Sequence, residues 1–138
     1  TIEVFPEYMD GLQDLDGFSH IIVLTHFHLI KDYKLKVIPY MDNKKRGVFA
    51  TRAPARPNPI GLSIVRLMKI DENILHIRDI DIIDKTPILD IKPFVHSFNT
   101  DDSITIGWLD KQIHKLPESK DDSRFIPSNP SPHEEEDK

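Results

Sequence analysis

The segment from Arg46 to Ser63, RGVFATRAPARPNPIGLS, constrains the fold more than any other stretch of the chain. It contains three prolines and two glycines. Proline fixes the backbone angle φ and glycine frees it, so the segment must follow one specified path between its neighbours. Arg52, Arg56 and Asn58 are held on that path as hydrogen-bond donors. Fixed donors suit a site for a carboxylate, a phosphate or a nucleotide, but a rigid structural loop with solvated arginines explains the pattern equally well.

Short strands with turn signals between them surround this segment. HIIVLTHFHL (20–29) is predicted as a buried strand, and Arg46–Thr51 as a strand that leads into the loop. Leu62–Ile70 is predicted to leave the loop and to form a hairpin, through the turn DEN, with ILHIRDIDII (74–83). The sequence ILDI before Pro93 is a further short strand. The pattern predicts an all-β barrel or sandwich.

Helical spacing occurs only near the two ends of the chain. PEYMDGLQDLDG predicts a short helical turn near the N-terminus. Near the C-terminus we predict a helix that Ser103 caps and Pro117 ends, with four apolar residues on one face: Ile106, Leu109, Ile113 and Leu116. The predicted domain is therefore 1–117, followed by a polar, flexible tail over 118–138. Since the chain begins TIEVF without methionine, we also expect residues upstream.

Composition bounds the class of protein. A chain of 138 residues with 38 % hydrophobic and 30 % charged residues fits one globular domain. No apolar run is long enough for a membrane span, and no signal peptide opens the chain, so we expect a cytoplasmic protein without a membrane partner. The absence of cysteine excludes disulfides, thiolate nucleophiles and cysteine-based zinc sites.

The charge is distributed unevenly. The net charge is −5, but residues 118–138 hold seven acids and three bases, whereas Lys31–Arg56 holds eight bases and two acids. This basic segment suits either phosphate binding or a solvated surface. Four aromatic side chains that stack on RNA bases in other proteins lie in or beside it: Phe27, Tyr33, Tyr40 and Phe49. For Phe27 and Phe49 we predict core packing instead.

Several common catalytic motifs are missing. The five glycines form neither a G-x-G-x-x-G fingerprint nor a Walker loop, and no serine lies in a G-x-S-x-G elbow. His26 and His28 are predicted on one strand face, where they could share a metal with His76 or His96. We favour half-buried, hydrogen-bonded histidines and predict no metal.

Acidic residues concentrate in RDIDIIDKTPILDIK. Asp79 and Asp81 are predicted on one face of a strand, Asp84 in the turn and Asp90 just after it. Asp79 taken alone suits a solvated edge strand. Asp84 and Asp90 suit an organised corner, where a carboxylate can hold a ribose hydroxyl or an amine.

Three segments in this order, SHIIVLTHFH, RGVFATRAPARPNPIGLS and DIDIIDKTPILDIKPF, resemble the TsaA-like family, which includes the TrmO tRNA methyltransferases. The resemblance covers roughly residues 1–98. It implies a small antiparallel β-barrel that forms a homodimer and binds S-adenosylmethionine without a Rossmann fold. The activity it implies is methylation of tRNA, on the exocyclic nitrogen of threonylcarbamoyladenosine beside the anticodon.

The resemblance also implies site residues. Those implied for cofactor binding are Leu29, Ile30, Arg52, Leu62, Arg78, Asp79, Ile80 and Asp81. At the target nitrogen, either a base removes the proton or hydrogen bonding polarises the nitrogen as the methyl group moves, and the candidate residues are Asn58, Asp84 and Asp90. The family usually has glycine where Lys85 stands, so a positive φ there would strain the lysine.

Two other functions fit part of the pattern. A non-enzymatic RNA-binding barrel needs the basic segment but no cofactor. A histidine-based metallohydrolase needs His26 and His28 to share a metal with a third ligand.

Overall fold

The computed structural model describes residues 1–96 and 105–114. The fold is mostly β, as predicted. The strands are β1 (Ile2–Glu3), β2 (His20–His26), β3 (Lys36–Val37), β4 (Arg46–Gly47), β5 (Ile60–Asp71), β6 (Ile74–Arg78) and β7 (Ile88–Pro93). Short 3₁₀ helices cover Pro6–Leu12, Leu15–Gly17, Val48–Ala50 and Gly107–Lys111.

Five strands form one antiparallel sheet in the order β1-β6-β5-β2-β7, and β3 pairs with β4 separately. The predicted hairpin is present: β5 and β6 are joined by a two-residue turn in which Glu72 has a φ of 53°. Strand β2 lies between β5 and β7, with its residues buried alternately. Such alternation is expected where one sheet face meets the core.

The core lies on one face of the five-stranded sheet. Its buried residues are Ile2, Ile21, Val23, Val65, Leu67 and Leu75. The opposite face carries Leu24 and Ile22 on β2, which pair in register with Leu62 and Ile64 on β5. Leu62 and Ile64 are 46 % and 45 % exposed. The sheet therefore has one packed face and one face open to solvent in the isolated chain, which is apolar on these strands and carries Lys92 and Asp90 on β7.

The closed barrel is not found in the described part of the chain. There β1 and β7 are the two edges of the sheet and do not pair with each other. The predicted strand Arg46–Thr51 is also shorter than expected, because the backbone turns into a 3₁₀ helix after Gly47.

The two predicted helical regions differ from expectation in different ways. The N-terminal helical turn is confirmed, as two 3₁₀ helices. The prediction of a C-terminal α-helix is wrong within residues 105–114. There Gly107 has a φ of 58°, and a 3₁₀ helix extends only from Gly107 to Lys111. Ser103, Leu116 and the predicted tail lie outside the described residues. None of the helices in the described ranges is long and apolar enough to span a membrane.

Candidate functional site

Residues Thr51–Arg56, here called the arginine loop, are fixed by their own side chains. Arg56 Nη1 donates to the carbonyl oxygens of Thr51 at 2.9 Å and Ala53 at 3.2 Å. The Thr51 hydroxyl donates to the Val48 carbonyl at 2.8 Å. Arg56 is half-buried and its Nη1 bonds to two carbonyl oxygens of the loop, so it holds the loop's shape.

Arg52 extends from this loop to strand β5. Its Nη2 donates to the carbonyl oxygen of Leu62 at 2.5 Å, and the side chain is exposed. A guanidinium carries several N–H donors, so this bond fixes its position without using its whole donor capacity. The structure thus brings together two of the residues implied for cofactor binding.

The end of β2 connects these residues to the rest of the candidate site. Phe27 N donates to the Pro59 carbonyl at 2.7 Å, and His26 N donates to the Pro87 carbonyl at 3.0 Å. Ile30 N closes a turn onto the Phe27 carbonyl at 3.0 Å. Leu29 and Ile30, Asn58 next to Pro59, and the turn before β7 therefore meet at one end of the sheet.

Gly61 allows the close approach of β2 and β5 at this end. A Cβ atom there would overlap the Thr25 hydroxyl and would lie 2.7 Å from Cζ of Phe27. Thr25 is 1 % exposed. The Phe27 ring therefore covers this crossing, as the predicted packing role requires, and the glycine of PNPIG is needed for space.

Of the remaining cofactor candidates, Arg78 and Asp79 lie away from Arg52, Ile80 packs against the core, and Asp81 is exposed. Arg78 pairs with Arg66, which pairs with His20 at the start of β2, whereas Leu62 pairs with Leu24. Leu62 and Arg66 are four positions apart on β5, which is about 13 Å along a strand. The structure therefore separates Arg78 and Asp79 from Arg52 and Leu62.

The prediction that Asp79 and Asp81 share a strand face is wrong. Strand β6 ends at Arg78, and Asp79 adopts a φ of 66°. A left-handed residue breaks the alternation that the prediction assumed. Asp79 Oδ2 lies 3.6 Å from Nε of Arg66, and both side chains are exposed.

The candidate catalytic carboxylates differ in their surroundings. Asp90 Oδ2 lies 2.5 Å from Nζ of Lys92, and Asp90 Oδ1 accepts a hydrogen bond from Ile91 N at 2.9 Å. The hydrogen bond from Lys92 lowers the pKa of Asp90 below its ordinary 3.8. A lower pKa makes a weaker general base. Asp84 is exposed, in a turn that the Thr86 hydroxyl closes onto the Ile83 carbonyl at 2.6 Å.

The prediction that His26 and His28 lie on one strand face, which the metal site required, is also wrong. Strand β2 ends at His26, and His28 lies in the following turn, so the two imidazoles do not share a strand face. Within residues 1–96 and 105–114, no three His, Asp or Glu side chains are grouped to hold a metal ion.

Sequence reasoning missed a network around Trp108. Its Nε1 donates to the Ala50 carbonyl at 2.7 Å, and the guanidinium carbon of Arg46 lies 5.2 Å from the ring centroid. Arg46 also donates to Asp42 Oδ2 through Nε at 2.8 Å and Nη2 at 2.7 Å, which lowers the pKa of Asp42. The spacing of four residues between Asp42 and Arg46 could have indicated their ion pair. The contact of Arg46 with Trp108 is between residues far apart in the sequence, so no local pattern indicates it.

Comparisons with known proteins show the family of the chain. A family model described as the tRNA-methyltransferase O N-terminal domain matches residues 1–100. The chain belongs to this family. A crystal structure of TrmO from Pseudomonas aeruginosa superimposes with a TM-score of 0.62 at 35 % sequence identity, over 77 % of this chain and 46 % of that chain.

The chain covers different shares of two of its relatives. A "Probable S-adenosyl-L-methionine-binding protein" of Pyrococcus abyssi is 57 % identical over 129 residues, which is 94 % of this chain and 70 % of the relative. A tRNA (adenine(37)-N6)-methyltransferase of Mus musculus is 38 % identical over 114 residues, which is 80 % of this chain but 25 % of that protein. This chain therefore corresponds to a quarter of the mouse enzyme.

Proposed function

We propose that this chain is an S-adenosylmethionine-dependent methyltransferase that modifies an adenosine of tRNA. Its acceptor is the exocyclic nitrogen of threonylcarbamoyladenosine beside the anticodon. Membership of the tRNA-methyltransferase O family and the names of the relatives support the reaction class. The observation that carries the proposal is the Arg52–Leu62 hydrogen bond, which holds a guanidinium at the site end of β5 before any ligand arrives.

The residues at this end fit S-adenosylmethionine. Arg52 offers a cation and directed donors to the cofactor's carboxylate. Leu29 and Leu62 are both 46 % exposed and offer apolar contacts to an adenosine. When bound, the cofactor supplies a methyl group on a sulfonium, a displacement that needs alignment of the reacting atoms and no metal.

The reaction also requires a group that accepts the proton of the target nitrogen. Asp84 is the better acceptor, because its exposed carboxylate lies in the turn that leads to Pro87, and Pro87 bonds to the end of β2. Asp90 is ion-paired with Lys92 and is the weaker base. Asn58 lies between two prolines, so its side chain is carried on a restricted backbone and can orient the substrate by hydrogen bonds.

The proposal includes a homodimer formed through the open apolar face of β2 and β5. Leu62 and Ile64 on this face are nearly half exposed in the single chain. Contiguous apolar surface of this kind is typical of protein interfaces. Since Leu62 belongs both to this face and to the proposed cofactor site, the site borders the interface between subunits.

Light scattering tests the dimer with Ile64→Glu. A charge on the apolar face would convert the dimer to a monomer, whereas Leu35→Glu, which alters a 61 % exposed side chain on another surface, would leave it dimeric. A wild-type chain that is monomeric at all accessible concentrations would contradict this part of the proposal.

The proposed partner is tRNA in the cytoplasm, and the basic segment is the proposed contact. Arg46 and Arg56 are engaged within the protein, so the lysines of the segment and Arg52 carry its exposed charge. Binding through phosphates weakens steeply as salt is raised. A flat salt response would contradict a phosphate-tracking role.

Mass spectrometry of tRNA nucleosides tests the activity. The protein is incubated with S-adenosylmethionine and with tRNA that carries threonylcarbamoyladenosine, beside an Asp84→Asn variant. We expect a methylated threonylcarbamoyladenosine with the wild type and a much slower reaction with the variant. No methylated nucleoside, with RNA binding intact, would favour a non-enzymatic RNA-binding protein.

A further inference from the structure

Phe49 is exposed where the sequence predicted core packing. With 76 % of its surface accessible, it is the most exposed large hydrophobic side chain among the described residues. It lies in the 3₁₀ helix Val48–Ala50, directly before the arginine loop. Exposing an aromatic ring forgoes the free energy of burial, so a ring held outward is a candidate for contact with a partner.

The backbone that carries Phe49 is anchored on both sides. Val48 is 1 % exposed, and its N–H donates to the Leu35 carbonyl at 3.0 Å. Trp108 Nε1 donates to the Ala50 carbonyl at 2.7 Å. Thr51 N also donates to the Val48 carbonyl, at 3.1 Å. The ring is therefore presented on a fixed turn, which lowers the entropic cost of using it in binding.

Positive charge surrounds this turn. Lys36 pairs with Gly47 across β3 and β4, and Lys34 N donates to the Ala55 carbonyl of the arginine loop at 3.2 Å. Lys45 precedes β4 and Arg52 follows the turn. These side chains are exposed. An aromatic ring among exposed cations suits a chain of phosphates that also presents bases.

We propose that Phe49 is a stacking platform for an unpaired base of the tRNA anticodon loop, while the neighbouring lysines contact the phosphates. The inference rests on the proposed function, since it names how that substrate is held. A base in a single-stranded loop has a free face for an aromatic ring, whereas bases inside a duplex do not. Stacking tolerates any base, so Phe49 contributes affinity and position, and other residues read the base identity.

Phe5 provides a matched control. It is 67 % exposed, it contacts Tyr8 rather than cations, and it lies at the N-terminal 3₁₀ helix. The test measures binding of a fluorescent anticodon stem-loop RNA to wild type, Phe49→Ala, Phe49→Trp and Phe5→Ala. S-adenosylmethionine affinity and oligomeric state are measured for each variant.

Phe49→Ala is expected to weaken RNA binding about 10-fold, which is the scale of one stacked base. Phe49→Trp keeps a stacking ring and is expected to restore affinity, and Phe5→Ala is expected to match the wild type. Cofactor affinity should be equal in all four proteins. A 2-aminopurine in the RNA loop should change its fluorescence with wild type and Phe49→Trp but not with Phe49→Ala.

The outcomes separate this inference from the proposed function. If the wild type methylates tRNA and Phe49→Ala binds RNA as tightly as Phe5→Ala, the stacking inference is wrong and the function stands. If Phe49→Ala loses the dimer instead of RNA affinity, the ring belongs to a protein interface and the inference is also overturned. If RNA binding depends on Phe49 but no methyl transfer occurs, the inference stands and the function fails.

Discussion

The arginine loop and the acidic segment Asp79–Lys85 were both predicted to form the site, yet the structure builds them differently. In the arginine loop, side chains bond to nearby carbonyls, as Arg56 does to Thr51 and Ala53. In the acidic segment, both end residues have positive φ, 66° at Asp79 and 63° at Lys85. One region is anchored and the other is strained.

The difference bears on how each region can bind a ligand. Arg52 starts from a fixed position, so little conformational entropy is lost when it takes up a ligand. Left-handed backbone costs a non-glycine residue of order 1 kcal/mol or more, and the surrounding structure must supply it. We expect the anchored loop to determine cofactor affinity, and the acidic segment to be where a substitution by glycine can raise the stability of the fold.

The largest expected effect comes from Gly61, which lies in β5 just after the arginine loop. Gly61→Ala places a methyl group against Thr25 and the Phe27 ring. Overpacking of this kind is expected to lower the free energy of unfolding by about 2–3 kcal/mol. Chemical denaturation measures it, with Gly11→Ala as the control because nothing lies within 4 Å of that position. Equal stability of the two variants would contradict the close approach.

Arg56→Ala is expected to have the next largest effect. It removes two hydrogen bonds from a charged donor, and bonds of that kind contribute about 1.5–3 kcal/mol each before partial solvation is considered. Because Arg56 is half-buried, we expect a loss of about 1–2 kcal/mol and faster amide exchange at Ala53. Lys34→Ala, an exposed cation nearby, serves as the control. Unchanged exchange in Arg56→Ala would show that Pro54 and the Thr51 hydrogen bonds hold the loop without Arg56.

Lys85→Gly tests whether the backbone of the acidic segment is strained. Glycine adopts a φ of 63° without steric cost, so this variant is expected to gain about 1 kcal/mol in stability. Lys45→Gly, at a position without positive φ, is expected to lose about 0.5 kcal/mol through unfolded-state entropy. Thermal unfolding of both variants gives the answer. If the two glycine variants lose the same stability, Lys85 is not strained.

The smallest expected effect is a pH dependence from Asp42. Arg46 lowers the pKa of Asp42 below 3.8, so the ion pair stabilises the fold above pH 3.8. That contribution is lost as the pH falls below 3.8 through the lowered pKa. Asp42→Asn is expected to show a shallower loss of melting temperature between pH 5 and about 2. Parallel melting curves for the two proteins over this range would contradict the assignment.

Sequence reasoning succeeded where a local signal determines the structure. The β-branched and aromatic residues of His20–Leu29 predicted β2, and the alternation on both sides of the DEN turn predicted the hairpin. The resemblance, which implies glycine where Lys85 stands, pointed to a possible positive φ at this position, and the φ there is 63°. In these cases the deciding interactions lie within a few residues of each other.

It failed where tertiary context decides. Strand β6 stops at Arg78 although the sequence after it still alternates, because Asp79 adopts a left-handed φ. Phe49 is as hydrophobic as a core residue, and only the 3₁₀ turn after Gly47 directs it to solvent. Trp108 bonds to Ala50 across 58 positions of sequence, which no local pattern can reveal.

Calorimetric titration with S-adenosylmethionine tests the central claim most directly, since it asks whether the anchored arginine loop holds the cofactor. Wild type, Arg52→Ala, Arg52→Lys and the distant exposed Lys69→Ala are compared. The account predicts tight binding by wild type and Lys69→Ala, no measurable binding by Arg52→Ala, and intermediate binding by Arg52→Lys, which keeps the charge but loses the forked donors. Equal affinity of Arg52→Ala and the wild type, with both folded, would contradict it.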